Sequence, residues 1–133
     1  MKTSEIIYKG ELRTTATHLK SGQLIITDAP IDNNGKGEAF SPTDILATSL
    51  GCCMLTVMGI VAKRHHLDLD GTKVEILKVM AENPRRVAEI HVDMHFKNDF
   101  AQKDKSLMEH TALTCPVSKS LHPDIKQKIR FHY

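Results

Sequence analysis

Three cysteines, Cys52, Cys53 and Cys115, are the side chains with the widest choice of chemistry in this chain. Cys53 lies in the middle of a long apolar segment. At about 100° per residue of helix it shares a stripe with Leu46, Leu50, Val57 and Ile60. Taken alone, it reads as a small core residue, and a thiol among apolar groups stays protonated unless a cation or donor is near. Cys52 falls on another stripe, with Ile45, Thr48, Thr56 and Gly59, and a disulfide between neighbours inside a helix is strained. Cys115 directly precedes Pro116, where a short helix through Leu121 would begin. As N-cap it would feel backbone N–H groups and the positive end of the helix dipole, which favour thiolate; the plainer alternative is a buried cap with no redox role. The two thiols together suggest a redox couple, one oxidised to a sulfenic acid and the other condensing with it to a disulfide. Their separation is no C-x-x-C motif.

Other constellations are weaker. His91, Asp93 and His95 lie on one strand face and share the donor types of a divalent-metal site, but no fourth ligand is indicated and a solvated face explains them. His65 and His66 complement a helix C-terminus. Ser41, Ser49 and Ser118 lack the turn that exposes a nucleophilic serine, and Gly35 and Gly37 do not complete a phosphate loop. The sequence calls for no metal and no organic cofactor.

The elements that must hold these residues follow from patterning. The chain has 133 residues, 41% hydrophobic and 26% charged, enough for one globular domain spanning 1–133. A net charge of +2, aromatics at 5% and no Trp argue against nucleic acid as partner. Three cysteines are too few for a secreted disulfide framework. No window is expected to reach the roughly 20 apolar residues that span a bilayer, and the first residues lack a signal peptide. The expectation is a cytoplasmic protein that does not enter membranes.

Three short strands are predicted first, around Glu5–Tyr8, Glu11–Leu19 and Gln23–Thr27, with a turn at Lys20-Ser21-Gly22. A loop from Asp28 to Ser41 follows, long enough to suggest function. Ser41-Pro42-Thr43-Asp44 opens a helix that runs on to about His66, with Ser41 as N-cap and Asp44 near the orphan N–H groups. Asp in place of Glu predicts a weaker capping box. Gly51 and Gly59 within this helix suggest close packing against a neighbour. Strands over Thr72–Ala81 and Val87–Lys97 flank a turn at Glu82–Arg85; the second places Ile90, Val92, Met94 and Phe96 on one face and Glu89, His91, Asp93 and His95 on the other. A helix over Ala101–Thr114, a short one over Pro116–Leu121 and a strand over Ile125–Tyr133 complete an α+β pattern, sheet packed on a central helix.

Two segments carry a family resemblance. Ser41-Pro42-Thr43-Asp44-Ile45-Leu46, running on to Leu50-Gly51-Cys52-Cys53, resembles the first motif of the osmotically inducible protein C / organic hydroperoxide resistance (OsmC/Ohr) family. Ala112-Leu113-Thr114-Cys115-Pro116-Val117-Ser118 resembles its second motif. The resemblance covers essentially the whole chain. It implies an OsmC-like fold, antiparallel sheets on long central helices, in an intertwined, swapped homodimer with sites at the subunit junction. It implies a thiol peroxidase of the oxidative stress response, acting on organic hydroperoxides, with Cys53 peroxidatic, Cys115 resolving and an external dithiol, of lipoyl type, as reductant. Asp44 matches the carboxylate that orients an arginine beside the reactive sulfur. Asp44 and Cys53 are nine positions apart, on opposite sides of a straight helix, so they would share a site through the partner subunit, a bent helix start or an intervening residue. One departure is clear: there is no arginine between Arg13 and Arg64. Lys20 and Lys36 stand near where family branches carry it, and lysine supplies charge without the bidentate fork. Two rivals follow: a non-enzymatic dimer of the same fold that binds a small apolar ligand with passive thiols, and a metal-binding protein using His91, Asp93 and His95.

Overall fold

In the computed structural model, which describes residues 1–133, Ser41 and Asp44 start the long helix with a complete reciprocal cap. The Asp44 N–H donates to Ser41 Oγ at 3.1 Å, and the Ser41 N–H donates to Asp44 Oδ2 at 3.0 Å. Asp therefore closes the box that the sequence predicts to be weak; its shorter side chain still reaches the cap N–H. The helix, α1, spans Pro42–Arg64. It ends in a Schellman arrangement, with the Leu67 N–H on the Ala62 carbonyl at 2.8 Å, and His66 in the left-handed conformation usually given to glycine.

Two compact units divide the chain after Leu46. The first holds β1 (Ser4–Gly10), β2 (Arg13–His18) and β3 (Leu24–Asp28), paired antiparallel in that order. Glu11 and Leu12 both take positive φ and make the two-residue turn, so β2 starts later than Thr content alone suggests. The loop after β3 contains a single 3-10 turn, Ile31–Asn33. Gly35 is required there, because a Cβ would lie 1.8 Å from the Ala29 carbonyl oxygen.

The second unit holds most of α1 with β4 (Lys73–Ala81), β5 (Arg86–His95), α2 (Gln102–Leu113), α3 (Pro116–Ser120) and β6 (Lys126–His132). β4 and β5 pair antiparallel, whereas β5 and β6 pair parallel, and α2 and α3 supply the crossover that a parallel pair needs. The core joins Leu50, Met54 and Met58 of α1 to Ile90, Val92 and Met94 of β5 and to Met108 and Ala112 of α2. Burying each large side chain of this set stabilises the fold by about 1.5–3 kcal/mol. The alternation predicted for β5 is therefore observed, up to Phe96, which lies past the strand end and stacks on Tyr133 at 4.4 Å.

Two expectations for α1 are corrected. The buried stripe is Ala47, Leu50, Met54, Met58 and Ala62, while Leu46 and Ile60 are exposed; the core seam runs beside Cys53 rather than through it. Gly51 packs closely, with Ile76 Cδ1 and Val74 Cγ1 at 3.0 and 3.1 Å from a would-be Cβ, but nothing lies within 4 Å at Gly59. A third concerns membranes. By length and composition alone α1 is apolar enough to cross a bilayer, with a mean hydropathy of 2.1 over its best window, because Gly, Ser, Thr and Cys kept its apolarity from reading as one continuous run.

Candidate functional site

The structure brings Cys53 against the core that holds Cys115, close enough to help raise the Cys115 pKa, and neither cysteine is in a disulfide. α1 offers Cys53 from a half-buried position beside Leu50 and Met54, while Cys115 is 1% exposed within the same core. The residue before a proline is driven to extended backbone, and Cys115 (φ −66, ψ 155), next after the α2 C-cap Thr114, caps α3. Its sulfur accepts the Ser118 N–H at 3.4 Å. This is the N-cap that the Cys-Pro junction predicts.

The expected thiolate at Cys115 does not follow from that cap. Burial pushes its pKa up and is the largest influence; the backbone N–H of Ser118 opposes it, and the neighbouring Cys53 adds to it. Desolvation of a sulfur nearly sealed from water outweighs the donors of a five-residue helix. Cys115 is therefore held as a neutral thiol. Cys52 is exposed on the opposite side of the helix seam, and the carbonyl of its own residue accepts the Thr56 hydroxyl at 2.8 Å.

Ser118 closes the second motif but was given no role there, and Gln127 was not singled out in the sequence at all. The Ser118 hydroxyl donates to Gln127 Oε1 at 2.6 Å, and Gln127 Nε2 donates to the Ser118 carbonyl at 3.2 Å. The one available clue was that Gln127 interrupts the apolar alternation it shares with Ile129 and Phe131 on β6.

In the first unit, Asp44 is engaged in the α1 cap. Arg13 forks onto Asp28 through two contacts of 2.7 Å and reaches Glu38 at 3.1 Å. Asp28 is 1% exposed; the guanidinium, helped by the Glu38 N–H, holds its carboxyl below the usual range against the opposing effect of burial. Lys36 pairs with Glu11 at 2.5 Å. Lys20 is exposed in the β2–β3 turn.

The His91, Asp93 and His95 face is occupied by pairs within β5 and across to β4 and β6. Asp93 takes Arg130 and His132, each at 2.9 Å, His91 and Lys128 meet Glu89 at 2.9 Å, and His95 meets Glu75 at 2.9 Å while stacking on His132. No three of these donors converge as a metal site, and each is instead engaged by a charged or ionisable partner on its own or a neighbouring strand. A hollow of about 340 Å³ lined by His91, Lys128, Ile129 and Arg130 and another of about 450 Å³ around Gly59, Lys63 and His66 do not include the thiols.

The family model for OsmC-like proteins matches residues 35–130. A solved structure from Psychrobacter arcticus 273-4, named for osmotic-stress induction and a detoxification response, is 56% identical, with a TM-score of 0.97 over 99% of this chain and 96% of that one. An organic hydroperoxide resistance protein OsmC from Legionella pneumophila shares the fold at 14% identity, with a TM-score of 0.76 over 100% of this chain and 98% of that one. An organic hydroperoxide resistance protein from Vibrio cholerae, with captopril in one of its active sites, does so at 13% identity, with a TM-score of 0.74 over 98% and 92% of the two chains. No curated protein matches the sequence. With a family match across most of its length and both sheets and helices in the expected order, this chain belongs to the OsmC-like protein family.

Proposed function

We propose that this protein is a thiol peroxidase that reduces organic hydroperoxides, with Cys53 as the peroxidatic and Cys115 as the resolving thiol. The observation that carries this reading is the proximity of two free thiols from distant parts of the chain, one half-buried and one sealed. Access supports this order. A peroxide can approach Cys53, whereas Cys115, buried and neutral, waits as the second thiol. The Cys53 thiolate attacks the distal peroxide oxygen, the O–O bond breaks, and the alkoxide leaves as alcohol after taking a proton. Cys53 sulfenic acid then condenses with the Cys115 thiol; the S–O bond breaks, an S–S bond forms and water departs. An external dithiol, of lipoyl type in this reading, returns both thiols by exchange and leaves as its own disulfide. The steps need no metal or organic cofactor.

The family match crosses the boundary between the two compact units, which supports treating 1–133 as one functional domain. A swapped homodimer is part of the same reading. Ile6 and Ile7 point to opposite faces of the β1–β2–β3 sheet and are 65% and 53% exposed. The apolar side chains of β1 and of the first part of β3 are left uncovered, and a second copy would cover them. In that dimer Asp44 would orient the cation that activates Cys53, and Lys20 or Lys36 would take the place of the family's arginine. A cytoplasmic setting, where thiols are kept reduced, suits the chemistry.

Stoichiometric cumene hydroperoxide followed by peptide mass spectrometry tests this. A Cys53–Cys115 disulfide is expected, and its absence with full retention of free thiols defeats the scheme. The missing arginine favours one competing reading, a dimer of this fold that binds an apolar ligand with passive thiols; it predicts that same retention.

A further inference from the structure

We infer that Gln127 is a positioning residue for Cys115, acting through Ser118 to hold the donor that faces the resolving sulfur. This rests on the peroxidase reading for its kinetic part only.

Along β6, Lys126, Lys128, Arg130 and His132 are exposed, and Gln127, Ile129 and Phe131 are half-buried. Gln127 is thus the polar member of an inward stripe, where an amide loses hydration and must be repaid by hydrogen bonds. Both of its side-chain hydrogen bonds go to a single residue. Gln127 Oε1 accepts the Ser118 hydroxyl at 2.6 Å, and Nε2 donates to the Ser118 carbonyl at 3.2 Å. The same hydroxyl also lies 3.4 Å from the Leu113 carbonyl at the end of α2. Ser118 in turn gives its N–H to Cys115 Sγ. A two-point grip on Ser118 fixes the direction of that N–H. α3 has only five residues, too short to keep its first turn rigid by its own hydrogen bonds, so the restraint must come from outside the helix, and β6 supplies it.

The consequence lies in the second half-reaction. When Cys53–SOH and Cys115–SH become a disulfide and water, electron density builds on Cys115 sulfur as its proton leaves. A fixed N–H aimed at the sulfur stabilises that charge without reorganising. The first half-reaction, Cys53 with peroxide, does not use Ser118.

The test compares wild type with Gln127→Met, which keeps length and removes both bonds, and with Ser118→Ala, which keeps the N–H but removes the hydroxyl half of the grip. In single-turnover stopped flow with a sulfenic-acid trap, Gln127→Met should slow disulfide formation about tenfold, the factor of one lost hydrogen bond, and raise trapped Cys53 sulfenic acid. Cys53 oxidation should change by less than about twofold, since no bond to it is lost. Ser118→Ala should have a smaller effect in the same direction, and the two changes together should be less than additive. Equal slowing of both steps, or a loss of melting temperature with an unchanged partition, overturns the inference. A peroxide-free measurement separates the two readings: ultraviolet titration of the Cys115 thiolate in a Cys52→Ser/Cys53→Ser background. An upward shift on adding Gln127→Met supports the positioning role even if wild type ignores peroxide; no shift overturns it even if wild type is an active peroxidase.

Discussion

Cys53 and Cys115 have unequal surroundings, and the inequality makes distinct predictions for each thiol. Cys115→Ser should leave Cys53 oxidisable once, with a sulfenic acid that persists and accepts a trap, while turnover with dithiol falls sharply. Cys53→Ser should abolish peroxide consumption. Cys52→Ser should leave both the stoichiometry and the disulfide unchanged, as expected from its exposed position; a Cys52-containing crosslink at one equivalent of peroxide would refute the assignment. The cation is tested by substitution as well. Lys20→Gln or Lys36→Gln, whichever residue serves Cys53, should slow its oxidation about tenfold, the order of effect of one nearby charge, and arginine at that position should exceed lysine. Of these residue-level features, the N-cap role of Cys115 was legible because Cys-Pro dictates backbone shape locally. Its protonation was not, since burial is a property of the atoms that α1, β5 and α2 bring around it.

At the scale of elements, the start of α1 and the outer face of the second sheet carry separable effects. Ser41→Ala removes one half of the cap and should cost about 1 kcal/mol, measured by chemical denaturation. The face formed by β5 and β6 is held by charge. His91 and Lys128 bring the Glu89 carboxyl down to about 2 from an ordinary 4.5, and His132 and Arg130 lower Asp93. A carboxyl depressed in the folded state contributes stability that is present above its unfolded value and lost as pH falls toward the folded one. Melting temperature should therefore decline between about pH 4.5 and about pH 2, and Glu89→Gln should flatten the decline in that window. An unchanged slope in the variant would show that the pairs are too screened to matter. The period-two alternation of β5 announced which side would be wet. It did not announce that Lys128, Arg130 and His132 would arrive alongside, because a parallel pairing between β5 and β6 is decided by the crossover and not by either strand.

For the whole molecule, the decisive observation is apolar surface left bare. Leu24, Ile25 and Ile26 of β3 are exposed in the same sheet as Ile6, Ile7 and Tyr8 of β1, and in the second unit Ile60 of α1 is exposed on its own account. Patches of this kind mark association surfaces. Light scattering coupled to gel filtration should return the mass of a dimer, and Ile25→Asp should yield monomer or insoluble protein. A wild-type monomer with full peroxidase activity would remove the partner subunit from the mechanism.

The order of strands and helices, the position of the long helix and the two motifs around Cys53 and Cys115 were determined by local chemistry: alternation, caps, turn residues and a proline. Each acts over a few residues, so each can be read along the chain. The approach of Cys53 to Cys115, the suppressed ionisation of Cys115, the counter-charges that occupy the histidine face and the hold of Gln127 on Ser118 were decided only by the tertiary structure. These depend on distances between segments remote in sequence, and such distances exist only after packing and burial have brought the segments together.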